Sequence, residues 1–318
     1  MLQQLTDFVL YNVFNLSPTT PIANFLSFFI YDSLKIFLML FFMITIVGII
    51  RSYISKEAIN KILAQKHPII SYFIIALFGS LTPFCSCSSI PLFLGFIKTG
   101  IPLGIAFTFL VTSPLINEYL VVLMIGFFGL KITILYIISG LMIGIISGYI
   151  IGKLNLEKNI NPDFITPDSD FQEIKFVNFK SRVLYGVQES LAIINNIWKW
   201  IVIAVAIGAI IHNYVPQEAI QSIIAKGGVF LVPITVLLGV PMYGGCASIV
   251  PIALALFKKG APLGTALSFM MSVSALSLPE AIILKKAMDR KLIIIFFSIV
   301  FLGIVFTGYF FNIISCYI

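Results

Sequence analysis

The chain has 318 residues, 59% of them hydrophobic and 10% charged, with a mean hydropathy of +1.07. Soluble domains carry about 25% charged residues, so the composition excludes a water-soluble globular protein and predicts an all-α polytopic membrane protein. The formal charge of +7 lies in short clusters between apolar runs. That suits cytoplasmic loops and excludes the single basic face that a nucleic-acid binder presents.

Residues 1–23 are mixed, with Asp7, Asn12 and Pro18. They lack the basic start and apolar run of a secretory signal and are expected to form an N-terminal surface segment. A helix needs about 20 apolar residues to span the hydrocarbon core. Unbroken candidates are 24–50, 131–152, 191–213 and 291–315; segments 68–97, 101–128, 229–257 and 261–284 are long enough but are interrupted by Pro, Gly, Ser or Asn. This order divides the chain into a first transmembrane repeat at 24–152, a polar linker at 153–183 and a second repeat at 184–318. The linker holds no His or Cys and does not read as a metal-binding loop.

The interruptions repeat. Thr82-Pro83-Phe84-Cys85-Ser86-Cys87-Ser88-Ser89-Ile90-Pro91 has a counterpart in Pro241-Met242-Tyr243-Gly244-Gly245-Cys246-Ala247-Ser248-Ile249-Val250-Pro251, and Pro91 and Pro251 are 160 residues apart. Lys98-Thr99-Gly100-Ile101-Pro102 and Lys258-Lys259-Gly260-Ala261-Pro262 follow at the same offset. Paired Gly- and Pro-interrupted segments in two halves point to a transporter's binding site. The breaks at Pro83, Pro91, Pro241 and Pro251 free backbone groups, which at membrane depth must be satisfied within the protein or line a cavity. The candidate substrate-binding groups are therefore Cys85, Ser86, Cys87, Ser88, Ser89, Gly245, Cys246 and Ser248. Soft thiolates at Cys85, Cys87 and Cys246 suit soft ions such as Cu(I), Zn(II) or trivalent arsenic; packing by small apolar thiols is the other reading, and the one preferred for Cys316.

Glu118 and Glu280 read as matched carboxylates in the third segment of each half. A carboxylate at membrane depth costs about 2.5–3.5 kcal/mol on insertion scales, so proton coupling is assigned to both, with Asn117 or Ser277 as hydrogen-bond partners. Asp32 and Glu189 are also matched, with structural and functional roles both open. His67 and His212 border connectors and read as interfacial. No Gly-rich Lys loop is present to bind ATP phosphates.

Basic clusters at 51–66 and 285–291 orient those connectors to the cytoplasm. Full crossing by every broken segment gives parallel halves. Hairpins with the Cys motif at the tip give three crossings per half and inverted halves, the preferred version because it leaves the weakly charged loop at 214–228 outside.

The string Thr82 to Pro91, with Lys98-x-Gly-x-Pro-Leu-Gly104 and Thr112-Ser-Pro-Leu-Ile-Asn-Glu118, resembles the predicted-permease family that includes the organoarsenical efflux permeases. The resemblance covers nearly the whole chain. It implies an inner-membrane permease that exports soft-metal or metalloid species, with the family's Cys-Ser-Cys on Cys85 and Cys87 and its Asn-Glu on Asn117 and Glu118. The expected function is arsenic-resistance or metal-transport efflux driven by the proton motive force, not an enzyme and without a cofactor. Expected partners are a small-molecule or metalloid substrate, protons and the lipid bilayer, with no nucleic acid. Two rivals stay open: a membrane thiol–disulfide electron carrier, which needs an accessible low-pKa thiolate, and a carrier of a small sulfur-containing anion held by Ser hydroxyls and helix N-termini.

Overall fold

A computed structural model describes residues 21–51, 68–82, 86–98, 100–161, 178–214, 228, 230–242, 246–258 and 260–315. Among them it contains twelve α-helices and no β-strand, which makes the protein an all-α polytopic membrane protein. In chain order they are α1 (Pro21–Arg51), α2 (Pro68–Ser80), α3 (Ser86–Lys98), α4 (Leu103–Leu115), α5 (Glu118–Phe128) and α6 (Leu130–Lys153), then α7 (Phe179–Tyr214), α8 (Leu231–Gly239), α9 (Cys246–Lys258), α10 (Leu263–Ala275), α11 (Leu278–Ala287) and α12 (Arg290–Ile314). From α3 onward each helix of the first six begins 160 residues before its counterpart in the second six.

Helices α2 and α3 have 13 residues each, about 20 Å at 1.5 Å per residue. The hydrocarbon core is about 30 Å thick, so neither crosses it alone. By length and apolarity Leu130–Lys153, Leu263–Lys285 and Arg290–Ile314 can cross, and α4 and α5 are bent by 47° against each other, as in a broken span or a re-entrant loop. The bend follows from Pro114 in the last turn of α4 and the non-helical Ile116–Asn117 link, because a proline removes a ladder bond and crowds the preceding turn.

Glycines set the helix directions. A Cβ on Gly104 of α4 would lie 2.5 Å from the Gly148 carbonyl oxygen and 2.8 Å from Gly152 Cα in α6. Further along, one on Gly144 would lie 2.8 Å from Thr112 Oγ1, and one on Gly140 2.8 Å from Ile116 Cγ1. Positions 104, 108, 112 and 116 thus face 152, 148, 144 and 140, four residues apart on both sides, so α4 and α6 run antiparallel in close backbone contact. Thr108 and Thr112 donate their hydroxyls to the Gly104 and Thr108 carbonyls. Their polar groups are satisfied within α4 and only small volumes face the glycines. With lipid as solvent, such small-residue packing is what holds helices together.

Helix α2 runs parallel to α4, since the Tyr72 hydroxyl lies by Gly104 and Gly79 lies by Thr112. As α3 connects them, α2 and α3 form a hairpin whose tip reaches the level of Thr112, near the middle of α6. The return turn explains the repeated Lys-x-Gly-x-Pro pattern. Gly100 N–H donates to the Ile97 carbonyl (2.9 Å) and Ile101 N–H to that of Phe96 (3.1 Å), the paired bonds of a Schellman stop. Gly100 has φ +87°, a value an L side chain rarely adopts. Gly260 repeats this with φ +94° and bonds from Gly260 to Phe257 and Ala261 to Leu256. These residues end one helix and start the next.

The second half is built alike. Gly264 packs on Gly308 and Asn312, Gly308 on Ser268, and Gly239 on Ser272. The Ser272 hydroxyl donates to the Val236 carbonyl at 2.5 Å, which ties α10 to α8. Between the halves, α6 crosses α12 where Gly303 meets Ile143. Beyond α6, Ile160 bridges Met288, Asn161 N–H donates to the Ala287 carbonyl (2.9 Å) and Asp289 N–H to that of Asn159 (2.8 Å). The seven residues from Lys153 to Ile160 extend at most about 25 Å, less than the roughly 36 Å length of α6. The C-terminal end of α6 and the N-terminal end of α12 therefore lie on one face, and the two helices are antiparallel. The pairs that pack across the halves are α1 with α7, α4 with α10, α6 with α12, α3 with α11 and α5 with α9. Exchanging the halves returns the same set.

Candidate functional site

Four interruptions lie near the level of the middle of α6 and α12: the ends of α2 and α8, and the breaks between α4 and α5 and between α10 and α11. Helices α3 and α11 both run from this level toward the face that holds Lys98 and Met288. Helices α5 and α9 run toward the opposite face, where Phe128 and Phe257 meet with ring centroids 5.9 Å apart. Helix α3 packs on α11 and α9 on α5, so each hairpin's returning helix contacts the helix that follows the other half's break. Within the second half, Leu278 N–H at the start of α11 donates to the Val240 carbonyl at the end of α8 (2.9 Å).

The backbone at the tips follows from its residues. Thr82 donates its hydroxyl to the Gly79 carbonyl (2.8 Å), and Met242 N–H donates to that of Gly239 (3.0 Å), closing the last turns of α2 and α8. Helix α3 opens on Ser86, Cys87, Ser88 and Ser89; α9 opens on Cys246, Ala247 and Ser248. Each N-terminus presents unpaired-ladder N–H groups and the positive end of a helix dipole. Pro91 lies buried inside α3, and without an N–H it leaves the Cys87 carbonyl outside the helical ladder. Pro251 does the same for the Ala247 carbonyl in α9. Ser89 is fully buried and Pro241 is exposed. Pro83, Cys85 and Gly245 lie outside the described residues, and Ser86, Cys87, Ser88, Cys246 and Ser248 are described by backbone position alone. At the common offset Cys246 corresponds to Ser86, and Cys85 to Gly245.

The two carboxylates do not occupy equivalent positions. Glu118 is the first residue of α5 and is exposed; Glu280 is the third residue of α11 and is 1% exposed. The helix boundaries match Glu118 with Leu278 and Leu120 with Glu280. Asn117 is buried, and its Oδ1 accepts the Leu120 N–H at 3.3 Å, an N-cap for α5. Ser277 stands at the corresponding place before α11 and makes no side-chain cap bond. The Tyr136 hydroxyl donates to the Leu115 carbonyl at 3.0 Å, satisfying the end of α4. Tyr136 and the α4–α6 glycine ladder position the site, yet they stand outside the Pro and Cys motifs. Glycines 140, 144, 148 and 152, at every fourth position, are the sequence signal that finds them.

No cluster of three or more His, Cys, Asp or Glu able to hold a metal occurs among the described residues. Broken helices near the middle of a polytopic α-helical bundle are the architecture of a membrane transporter. Residues 21–313 match the family described as Predicted permease (ArsP_1), and the chain belongs to that family. It is similar to the UPF0718 protein MJ0584 of Methanocaldococcus jannaschii, at 25% identity across 84% of this chain and 89% of that protein. It is also similar to the UPF0718 protein YcgR of Bacillus subtilis, at 24% identity across 55% of this chain and 59% of that one. No solved structure matches the chain.

Proposed function

We propose that the protein is an inner-membrane efflux permease for a small soft-metal or metalloid species, with neutral trivalent organoarsenicals as the cargo class, built from two inverted repeats and driven by the proton motive force. One observation carries the reading: two hairpins whose returning helices open on Ser and Cys each pack against the helix that follows the other half's break. Cys85 and Cys87, with Cys246, supply the soft donors that such a cargo favours, and a neutral species enters an apolar path without the cost of stripping a charge. Glu118 and Glu280 take up and release protons as access alternates. The Ser-rich N-termini of α3 and α9 also favour a second reading, a carrier for a small sulfur-containing anion.

The test is uptake of trivalent methylarsenite into everted membrane vesicles by wild type, Cys85→Ser/Cys87→Ser, Glu118→Gln and Glu280→Gln. Thiol-assisted efflux predicts uptake that collapses in the double mutant and loses its dependence on the proton gradient in the Gln variants. Full uptake by the double mutant moves the cysteines to a packing role. No uptake by inserted wild type removes the arsenical cargo, and sulfur anions become the substrates to assay.

A further inference from the structure

The two helix breaks have the same backbone plan but opposite polar chemistry. In the first half every polar group named at the break has a partner inside the protein. Tyr136 donates to the Leu115 carbonyl and Asn117 caps Leu120 N–H. Pro114 and Leu120 fill the neighbouring positions with apolar surface. At the common offset the second half replaces Tyr136 by Phe296, Asn117 by Ser277, Pro114 by Ser274 and Leu120 by Glu280. Phe296 has no hydroxyl to donate to Ala275, the counterpart of Leu115. The Ser274 and Ser277 hydroxyl oxygens are buried, their residues 7% and 1% exposed, and neither has a hydrogen-bond partner among the described residues. Glu280 is 1% exposed. Four substitutions thus turn a closed break into one lined by oxygen donors.

We propose that Ser274, Ser277, Glu280 and the C-terminal carbonyls of α10 form a single site for an alkali-metal cation, sodium being the small abundant one. All the donors are oxygens, which hard cations select over soft ones. They include one carboxylate, so one positive charge neutralises the site and a divalent ion would leave an excess. The α10 C-terminus adds the negative end of its dipole and carbonyls that the helix cannot satisfy itself. Half-helix C-termini at such breaks are where transporters bind coupling cations. The first half, with Pro114, Asn117 and Leu120, has no such site, so one cation binds per chain. The proposal rests on the transporter reading and deepens it: a sodium ion is added at the carboxylate assigned to coupling.

The test uses the full chain in detergent micelles, with thermal unfolding followed by the fluorescence of Trp198 and Trp200 while NaCl replaces choline chloride at constant total salt and fixed pH. The site predicts a saturable rise in Tm with sodium. It also predicts a half-saturating concentration raised about tenfold or more, equivalent to about 1.4 kcal/mol, in Ser274→Ala/Ser277→Ala and in Glu280→Gln. The serine pair gives up no hydrogen bond to a described residue, so without sodium its Tm should equal or exceed that of wild type. Ser277→Asn, which restores the first half's cap, should weaken the response likewise, while Glu118→Gln should retain it. The proposal is overturned by an identical Tm in sodium and choline, by an unchanged half-saturation in the serine and Glu280 variants, or by equal loss in Glu118→Gln. Because no substrate is present, these outcomes are independent of vesicle uptake, whose failure would bear on the transport reading alone.

Discussion

Gly104→Ala tests the packing that sets the depth of the first hairpin. The new methyl carbon would sit 2.5 Å from the Gly148 carbonyl oxygen, 2.6 Å from the Tyr72 hydroxyl and 2.8 Å from Gly152 Cα. Two of these neighbours are backbone, so no rotamer change relieves them and α4 must move off α6. A Cβ rarely approaches another heavy atom more closely than 3.4 Å, so the shift is about 1 Å over several turns. Overpacking of this kind costs about 1–3 kcal/mol, and a gap of that size forfeits a quarter to a half of each affected contact's attraction. Alanine's better helix propensity returns at most about 1 kcal/mol. Net destabilisation of about 1–2 kcal/mol is expected, with transport per inserted molecule reduced because Tyr72, and with it the α2–α3 tip, moves with α4. Gly126→Ala is the matched control: nothing lies within 4 Å of the place its methyl would take on α5, and stability should stay level or rise. Reversible unfolding in mixed micelles, read by fluorescence, measures both. Equal stability of Gly104→Ala and wild type, or equal loss in Gly126→Ala, would refute the reasoning.

Two further outcomes follow from the helix directions and the buried bonds. With its native cysteines replaced by Ser, the chain carrying Lys98→Cys should react with a membrane-impermeant maleimide only from the cytoplasmic side, and Lys258→Cys only from the other; labelling of both from one side would remove the antiparallel arrangement. Ser272→Ala removes the hydroxyl bond to Val236 and should lower stability by about 0.6 kcal/mol, the average for such bonds between membrane helices, and by no more than about 1.7 kcal/mol; an unchanged unfolding curve would mean that the bond adds nothing.

Much of this architecture is legible in the chain because membrane spans follow from composition and breaks follow from proline. The spans at 131–152 and 291–315 reappear as α6 and α12, and the interruptions at Pro91 and Pro114 coincide with a short helix and a bent one. Helix pairing was not legible from the motifs. The threonines and glycines that pair α4 with α6 look like ordinary membrane filler until their four-residue spacing is set against a partner of the same spacing. The match of Glu118 with Glu280 went astray for a local reason. Pro114 falls in the last turn of α4, whereas Pro279 falls in the first turn of α11. Matching carboxylate to carboxylate and proline to proline forces a slip of two or more residues, whereas the helix boundaries keep the offset.

That slip changes how the mechanism is framed. Two equivalent carboxylates would make the halves interchangeable, each able to handle the same ion at the same stage of the cycle. Instead Glu118 opens its helix at an exposed position while Glu280 is buried. Burying a carboxylate among apolar helices is costly unless charge or hydrogen bonds compensate it, and of Glu118 and Glu280 only the latter is buried. The thiols are unequal as well, with Cys85 and Cys87 on one tip and Cys246 on the other. In the proposed reading, thiols in the first half and an oxygen-rich break in the second give the two halves two chemistries. Helix α3, which opens on Ser86 and Cys87, packs against α11, the helix that carries Glu280. Movement of that contact would change both surroundings together, which is the physical requirement for coupling a soft cargo to a hard ion.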